Sequence, residues 1–150
     1  MLKRMSCSAL CGLLAAMALA AEPTPAPPSA AATELDGAWL PVTAELGGQP
    51  FPAPVLATMK LVLAGDRYTV FVGGAKDEGT VARLPDTSPP ALDITGVEGP
   101  NAGRTIPAIC QVRGDTLDVC YNLGGPERPA TFTTKAGTQQ FLVRYLRSRP

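Results

Sequence analysis

Short runs of apolar and β-branched residues follow one another along most of the chain, separated by clusters of Gly, Pro and Asp. Apolar and polar residues tend to alternate within each run, which is the two-residue period of a β-strand with one buried face. Repetition of such runs is typical of an all-β sandwich or barrel. The eight main runs are 38–45, 55–63, 67–72, 80–84, 91–95, 105–112, 117–122 and 140–147, with a weaker one at 131–134.

The residues between the runs predict how the strands are joined. Gly at 64–66 and at 113–116 can take a positive φ without steric cost, so both segments are predicted hairpin turns. Gly73-Gly74 is predicted to open a longer loop, and the proline-rich segment 85–90 a rigid corner. No run after residue 33 has a clear helical period, although 55–63 is also compatible with a short helix.

Alternation also predicts which side chains share the inner face of a barrel. Val72, Ile106, Ala108, Cys110, Val112, Leu117, Val143 and Tyr145 are expected inside, together with the five candidate cavity residues Tyr68, Val70, Val119, Tyr121 and Phe141. Gln111, Asp118, Arg83 and Arg144 are expected on the outer face. Eight strands enclose just enough space for side chains or one small ligand, and these side chains are bulky. We therefore expect a shallow cavity.

The chain before residue 34 has a different character. Residues 1–20 contain Lys3 and Arg4, then an uncharged apolar run and a small-x-small end, as in a secretory signal peptide. Residues 21–33 are rich in Pro and Ala and lack large apolar side chains, which predicts a disordered spacer. The folded domain is therefore placed at 34–150. Its expected location is periplasmic or extracellular, with no membrane span once the leader is cleaved.

Several motifs along this domain resemble those of a known family. Gly37-x-Trp39 on the first strand is similar to the signature of the lipocalins and other calycins. Further pieces resemble the small lipocalin-like domains of unassigned function that are abundant in planctomycetes and occur in other bacteria. These pieces are 35–39, 47–50, 65–68, 79–80, 91–94, 98–100, 114–117, 120–121 and 128–132. The resemblance implies an all-β fold, a small antiparallel up-and-down barrel of about eight strands.

The resemblance also implies how one end of the barrel is closed. In lipocalins, an Arg from the end of the last strand stacks on the Trp of the first-strand motif. Arg147 or Arg144 could take this position here, and the alternation favours Arg147. Gly37, Trp39 and Arg147 are thus expected to have a structural role at the closed end. The short chain and the absence of a C-terminal helix depart from the lipocalin pattern and make a deep cavity less expected.

Charge and composition argue against several classes of function. The chain has 13 basic and 13 acidic residues, and without the leader 11 basic residues remain against 13 acidic ones. This balance does not favour nucleic acid as a partner. The chain has no His, the commonest general base and metal ligand. We therefore predict that the protein is not an enzyme, with no catalytic residues, cofactor or metal.

Two cysteines in the domain raise the question of a disulfide. Cys110 and Cys120 flank the turn at 113–116, and cysteines of exported proteins usually pair. With a three-residue loop centred on Asp115 they would face each other. With Val112 opposite Leu117 they would lie on opposite faces of the sheet. The inward pattern favours the second register, and both alternatives stay open at this point.

Asp93, Tyr121 and Arg128 form the most interesting polar group. Asp93 lies between two apolar residues of a strand, and Arg128 lies in a proline-stiffened loop. One interpretation is a salt bridge that holds the loop in place. The other is a polar site at the open barrel end, where Arg128 binds an anionic head group and Tyr121 donates a hydrogen bond.

Two functions are compatible with these features. In the first, the barrel binds a small, partly apolar or amphipathic molecule in or at its mouth, in a pocket lined by Tyr68, Val70, Val119, Tyr121, Phe141 and Val143. In the second, the interior is filled, and the loops bind a protein or polysaccharide of the cell envelope through an exposed patch at Phe51, Pro52 and Pro54.

Overall fold

A computed structural model describes residues 34–149 as an all-β domain. The predicted leader at 1–20 and spacer at 21–33 lie outside the described residues. The strands are β1 (Gly37–Leu46), β2 (Gln49–Pro50), β3 (Lys60–Ala64), β4 (Arg67–Val72), β5 (Ala75–Leu84), β6 (Ala91–Glu98), β7 (Thr105–Arg113), β8 (Thr116–Asn122) and β9 (Gln140–Arg147), and the short helix α1 is Ala53–Leu56.

The strands form one antiparallel sheet that closes on itself. From β3 to β9 each strand pairs with the next in sequence, and β1 pairs with both β3 and β9. This is an eight-stranded up-and-down barrel, with β2 as an additional strand paired only to β1. The predicted fold class is therefore confirmed. Closure of the sheet pairs the backbone N–H and C=O groups that edge strands would otherwise expose.

Three element boundaries differ from the sequence predictions. The run 55–63 divides into the end of α1 and strand β3, because Pro52 and Pro54 favour a helical first turn over a ladder. The weaker run 131–134 is not a strand. Gly73 and Gly74, both at positive φ, make a tight turn in which Val72 pairs with Ala75, so the expected longer loop is wrong and β5 begins at Ala75.

The inward residues pack into one core that runs from Trp39 to Tyr121. Trp39, Leu117, Val119 and Val143 are almost completely buried there. The expectation that Arg83 faces outward is wrong. Arg83 pairs with Leu92 on the inner face, and its guanidinium donates to Asp36 Oδ1 at 2.7 Å near the closed end.

A second apolar cluster lies outside the barrel. Ala91, Ile109 and Cys120 point outward from β6, β7 and β8, and Phe132 packs against this cluster. The segment 123–139, which links β8 to β9, therefore covers part of the outer wall. We call it the outer segment.

Candidate ligand-binding site

Trp39 and Arg147 close one end of the barrel. The Trp39 indole is fully buried and its N–H donates to Leu35 O at 2.9 Å. The Arg147 guanidinium carbon lies 4.2 Å from the centre of the indole ring, and its N–H groups donate to Asp36 O and Glu34 O. The structure thus places these two residues as the lipocalin resemblance implies.

Gly37 is required at this end because of its backbone and its neighbour. Its φ is +132°, and a Cβ there would lie 3.0 Å from Arg147 Nη1. A larger residue would be strained and would displace the guanidinium from the indole. The glycine and the arginine are therefore one structural unit.

The opposite end opens into an internal cavity of about 340 Å³. Its walls are apolar side chains from β3 to β9, among them Leu61, Leu63, Val81, Ile94 and Val119. The cavity is deeper than expected, because it reaches Leu63, which pairs with Gly37 at the closed end. A mostly apolar cavity with a few polar groups is typical of a small-molecule site.

Five of the predicted ligand-binding residues line this cavity, namely Tyr68, Val70, Val119, Tyr121 and Phe141. They do so because they follow the two-residue alternation of strands that the sequence located correctly. Val143 is instead packed into the core.

The sequence did not point to four polar residues of the cavity, namely Lys76 and Arg104 at its mouth and the hydrogen-bonded pair Asp77 and Asn101. The Tyr68 hydroxyl donates to Asp77 Oδ2 at 2.9 Å, and the Asn101 side-chain amide donates to the same oxygen at 2.9 Å. Asn101 N donates to Asp77 Oδ1 at 3.0 Å. Asp77 is buried and holds the β6–β7 loop at the mouth. Extending the alternation back from Val81 through Gly79 would have placed Asp77 inside.

Tyr121 and Tyr145 form a second polar pair in the cavity. Their hydroxyl oxygens lie 3.3 Å apart. Burial raises the pKa of Tyr121 well above its usual value and that of Tyr145 to about 12. Burial, reinforced by the hydrogen bond to Asp77, also raises the pKa of Tyr68. All three hydroxyls are therefore protonated at neutral pH.

Aromatic side chains form one side of the mouth. The rings of Phe51 and Phe141 are 5.3 Å apart, and those of Tyr121 and Phe141 are 5.7 Å apart. Phe51 is half-buried and lines the cavity, whereas Pro52 and Pro54 are exposed. The exposed patch expected at these three residues is therefore reduced to the two prolines.

Two cations stand at the rim of the mouth. Lys76 lies 3.1 Å from a carboxylate oxygen of Glu78, and Arg104 donates to Leu123 O at 2.7 Å. Both side chains line the cavity and are exposed to solvent.

Asp93 and Arg128 lie elsewhere, on the outer wall. Leu92 and Ile94 point inward, so Asp93 between them points outward. Arg128 donates to Asp93 Oδ1 at 2.6 Å and to the carbonyl oxygens of Leu92 and Ala108. The structure does not bring this pair to Tyr121, so the proposed polar site at the barrel mouth is wrong. The salt bridge instead holds the outer segment on the barrel.

The two cysteines lie on opposite faces of the sheet. Val112 pairs with Leu117, the register in which Cys110 points into the core and Cys120 into the outer cluster. Both are buried free thiols, so the disulfide alternative is wrong. Burial raises the pKa of Cys110 to about 11 and also that of Cys120.

Within residues 34–149, no three His, Cys, Asp or Glu side chains are grouped so that they could hold a metal ion. No helix in the same range is long and apolar enough to cross a membrane.

Comparisons with protein-family models, curated proteins and solved structures find no match for this chain.

Proposed function

We propose that this protein is an exported, non-catalytic lipocalin-like barrel that binds one small, mostly apolar molecule in its cavity. The observation that carries the proposal is the open apolar cavity of about 340 Å³ between Trp39 and the mouth. Ligand pockets usually measure about 300–1,000 Å³, so this volume suits a ligand at the small end of the range.

The surroundings of the cavity support this proposal. Its walls belong to a closed sheet, so the site is formed before a ligand arrives and little ordering entropy is lost on binding. Aromatic rings at the mouth provide a large apolar contact area. The leader predicted at 1–20 supports export to the periplasm or the extracellular space.

The alternative is a module that binds an envelope protein or polysaccharide through its loops. That function needs no cavity and predicts a filled interior with an exposed patch at Phe51. The open interior and the inward position of Phe51 favour small-molecule binding over this alternative.

Titration with the neutral fluorescent dye N-phenyl-1-naphthylamine tests the proposal. We expect saturable one-to-one binding to the wild type and at least a tenfold loss of affinity in Val70→Trp, because the indole would occupy the cavity. The matched control is Val97→Trp, at an outward valine that is 56% exposed, and it should bind as the wild type does.

Circular dichroism establishes that each variant is folded, and Val70→Phe replaces Val70→Trp if the larger residue prevents folding. Equal dye affinity in the wild type and the folded cavity variant would contradict the proposal. As an independent test, native mass spectrometry of protein purified from its own host should show a co-purifying small molecule.

A further inference from the structure

All three tyrosines of the chain place their side chains in this cavity. The sequence contains three tyrosines, and Tyr68, Tyr121 and Tyr145 all line the cavity and are buried. Most of the other lining side chains are apolar, and the buried Asp77 already accepts three hydrogen bonds from Tyr68 and Asn101. The phenolic hydroxyls are therefore the groups that can give a bound molecule a fixed orientation.

The hydrogen bonds of these hydroxyls leave one donor unused. A phenolic hydroxyl has a single hydrogen. Tyr68 gives its hydrogen to Asp77. Within the described residues, the hydroxyls of Tyr121 and Tyr145 bond only to each other, and that bond uses one of their two hydrogens. The second hydrogen has no acceptor among the described residues, so an acceptor group of a bound molecule would gain a hydrogen bond there.

The charges around the cavity determine what kind of acceptor fits. The Asp77 carboxylate is inside and already accepts three hydrogen bonds. Among the lining residues, the cations are Lys76 and Arg104, both exposed at the mouth. An anion next to the tyrosine pair would lose its hydration without a buried cation to compensate, and it would share the cavity with a carboxylate. A neutral acceptor avoids both costs.

We propose that the ligand is a neutral apolar molecule with an oxygen acceptor, such as a ketone, an ester or a quinone, and that this oxygen accepts a hydrogen bond from the Tyr121–Tyr145 pair. This inference rests on the proposed function, because it requires that the cavity binds a small molecule. The apolar body of the ligand lies along the walls, with Phe51 and Phe141 at the mouth. The molecule would carry no ionised group at its inner end.

Three naphthalenes of nearly equal shape test the inference by displacement of the bound dye. They are 2-acetylnaphthalene with a carbonyl, 2-ethylnaphthalene without an acceptor, and 2-naphthoate with a carboxylate. For the wild type we expect the ketone to bind at least about tenfold more tightly than the carboxylate, because burying an unpaired charge is costly.

The variant Tyr121→Phe/Tyr145→Phe isolates the hydroxyls. Both must be removed, because either one alone would keep a hydrogen for the ligand. We expect affinity for 2-acetylnaphthalene to fall about five- to tenfold, as for one lost hydrogen bond, with affinity for 2-ethylnaphthalene unchanged or higher. The matched control Thr95→Val/Thr105→Val removes a hydroxyl pair from the outer face, where the oxygens lie 3.1 Å apart, and should change neither affinity.

An independent measurement is the infrared carbonyl stretch of bound 2-acetylnaphthalene. It should shift to lower frequency in the wild type and lose that shift in the double phenylalanine variant. Equal loss of affinity for the ketone and the ethyl compound, or a carboxylate that binds as tightly as the ketone, would overturn the inference while leaving the proposed function intact. Failure of the dye and all three naphthalenes to bind would overturn the proposed function itself.

Discussion

Arg147 connects the last strand to the chain that precedes the first one. Its guanidinium stacks on Trp39 while its N–H groups donate to two backbone carbonyl oxygens before β1, those of Asp36 and Glu34. Each such contact is modest alone, but the stacking and the charge-assisted hydrogen bonds act on one group. The side chain therefore stabilises the closed end in a way that an isolated surface arginine cannot.

Replacing this arginine should reduce stability by a measurable amount. For Arg147→Met we expect a loss of about 2 kcal/mol in the free energy of unfolding, since both the stacking and the charged donors are removed. Urea denaturation measures this. Arg149→Met is the control, because the Arg149 side chain is 72% exposed and an exposed ion pair contributes little. Equal stability of the two variants would contradict the structural role.

Asp118 is a buried acid on the outer face, covered by two arginines. Arg144 donates to it through Nε at 2.7 Å and Nη2 at 3.2 Å, and Arg113 donates at 3.1 Å. The hydrogen bonds from Arg144, followed by the single bond from Arg113, lower the pKa of Asp118. This outward residue is buried by its partners, which the strand alternation alone does not reveal.

The lowered pKa of Asp118 predicts a loss of stability in acid. An acid whose pKa is lower in the folded state stabilises the protein above its unfolded pKa of about 3.9, and this stabilisation disappears as the pH falls through the folded pKa. Asp118→Asn should therefore cost about 1 kcal/mol at pH 7 and much less well below pH 4. Denaturant unfolding across this pH range is the measurement. If the difference in unfolding free energy between Asp118→Asn and the wild type did not change with pH, the lowered pKa of Asp118 would not be a source of stability.

At the scale of elements, the outer segment is a second layer on one side of the barrel. Phe132 packs against the outer cluster, Arg128 bonds to β6 and β7, and the Thr134 hydroxyl bonds to Glu45 on β1. The segment is irregular, yet side chains fix it at three places along its length. It protects outward apolar residues that a free-standing barrel would expose.

Arg128 should support this layer without affecting the cavity. In Arg128→Met we expect a loss of about 2 kcal/mol of stability, because the ion pair with Asp93 and the charged hydrogen bonds to two carbonyl oxygens are lost. Affinity for the naphthylamine dye should stay as in the wild type. Lys135→Met, at an exposed residue of the same segment, is the control for stability. Weaker dye binding in folded Arg128→Met would favour a role in the ligand site.

The elements also show what could be predicted from the sequence. Alternation located the strands and five cavity residues, because side-chain direction in a ladder depends only on position within the strand. It placed Arg83 wrongly, because this cation shares the inner face with Val81 and is paired there with Asp36. It missed Asp77, since the tight turn at Gly73-Gly74 lets β5 begin at Ala75. The path of the outer segment had no local signal, as it depends on contacts with strands distant in sequence.

At the scale of the whole molecule, the two buried thiols become accessible through different conformational openings. Cys110 is 4% exposed inside the core, and Cys120 is fully buried beneath the outer segment, where its thiol donates to Thr133 O. Local openings of a layer occur more often than global unfolding. Release of the outer segment would expose Cys120 alone, whereas Cys110 needs the barrel itself to open.

We therefore expect iodoacetamide to modify Cys120 before Cys110, and both rapidly only in denaturant. Arg128→Met should accelerate the reaction of Cys120 more than that of Cys110. Peptide mass spectrometry after timed quenching measures both rates. A disulfide-linked peptide containing both residues, or equal acceleration at the two sites, would contradict this order of exposure.

The pairing of β1 with β9 has a consequence for the order in which the barrel can form. Trp39 pairs with Arg147 at one end of this ladder and Leu46 with Phe141 at the other, so each bond joins residues about a hundred positions apart. Contacts between residues so far apart in sequence slow folding, because the chain loses the conformational entropy of the closed loop before the hydrogen bonds form. During synthesis from the N-terminus, β1 emerges first and its long ladder waits for the last strand. The hairpins between strands adjacent in sequence can form earlier. The Trp39 indole becomes enclosed only when β9 pairs with β1.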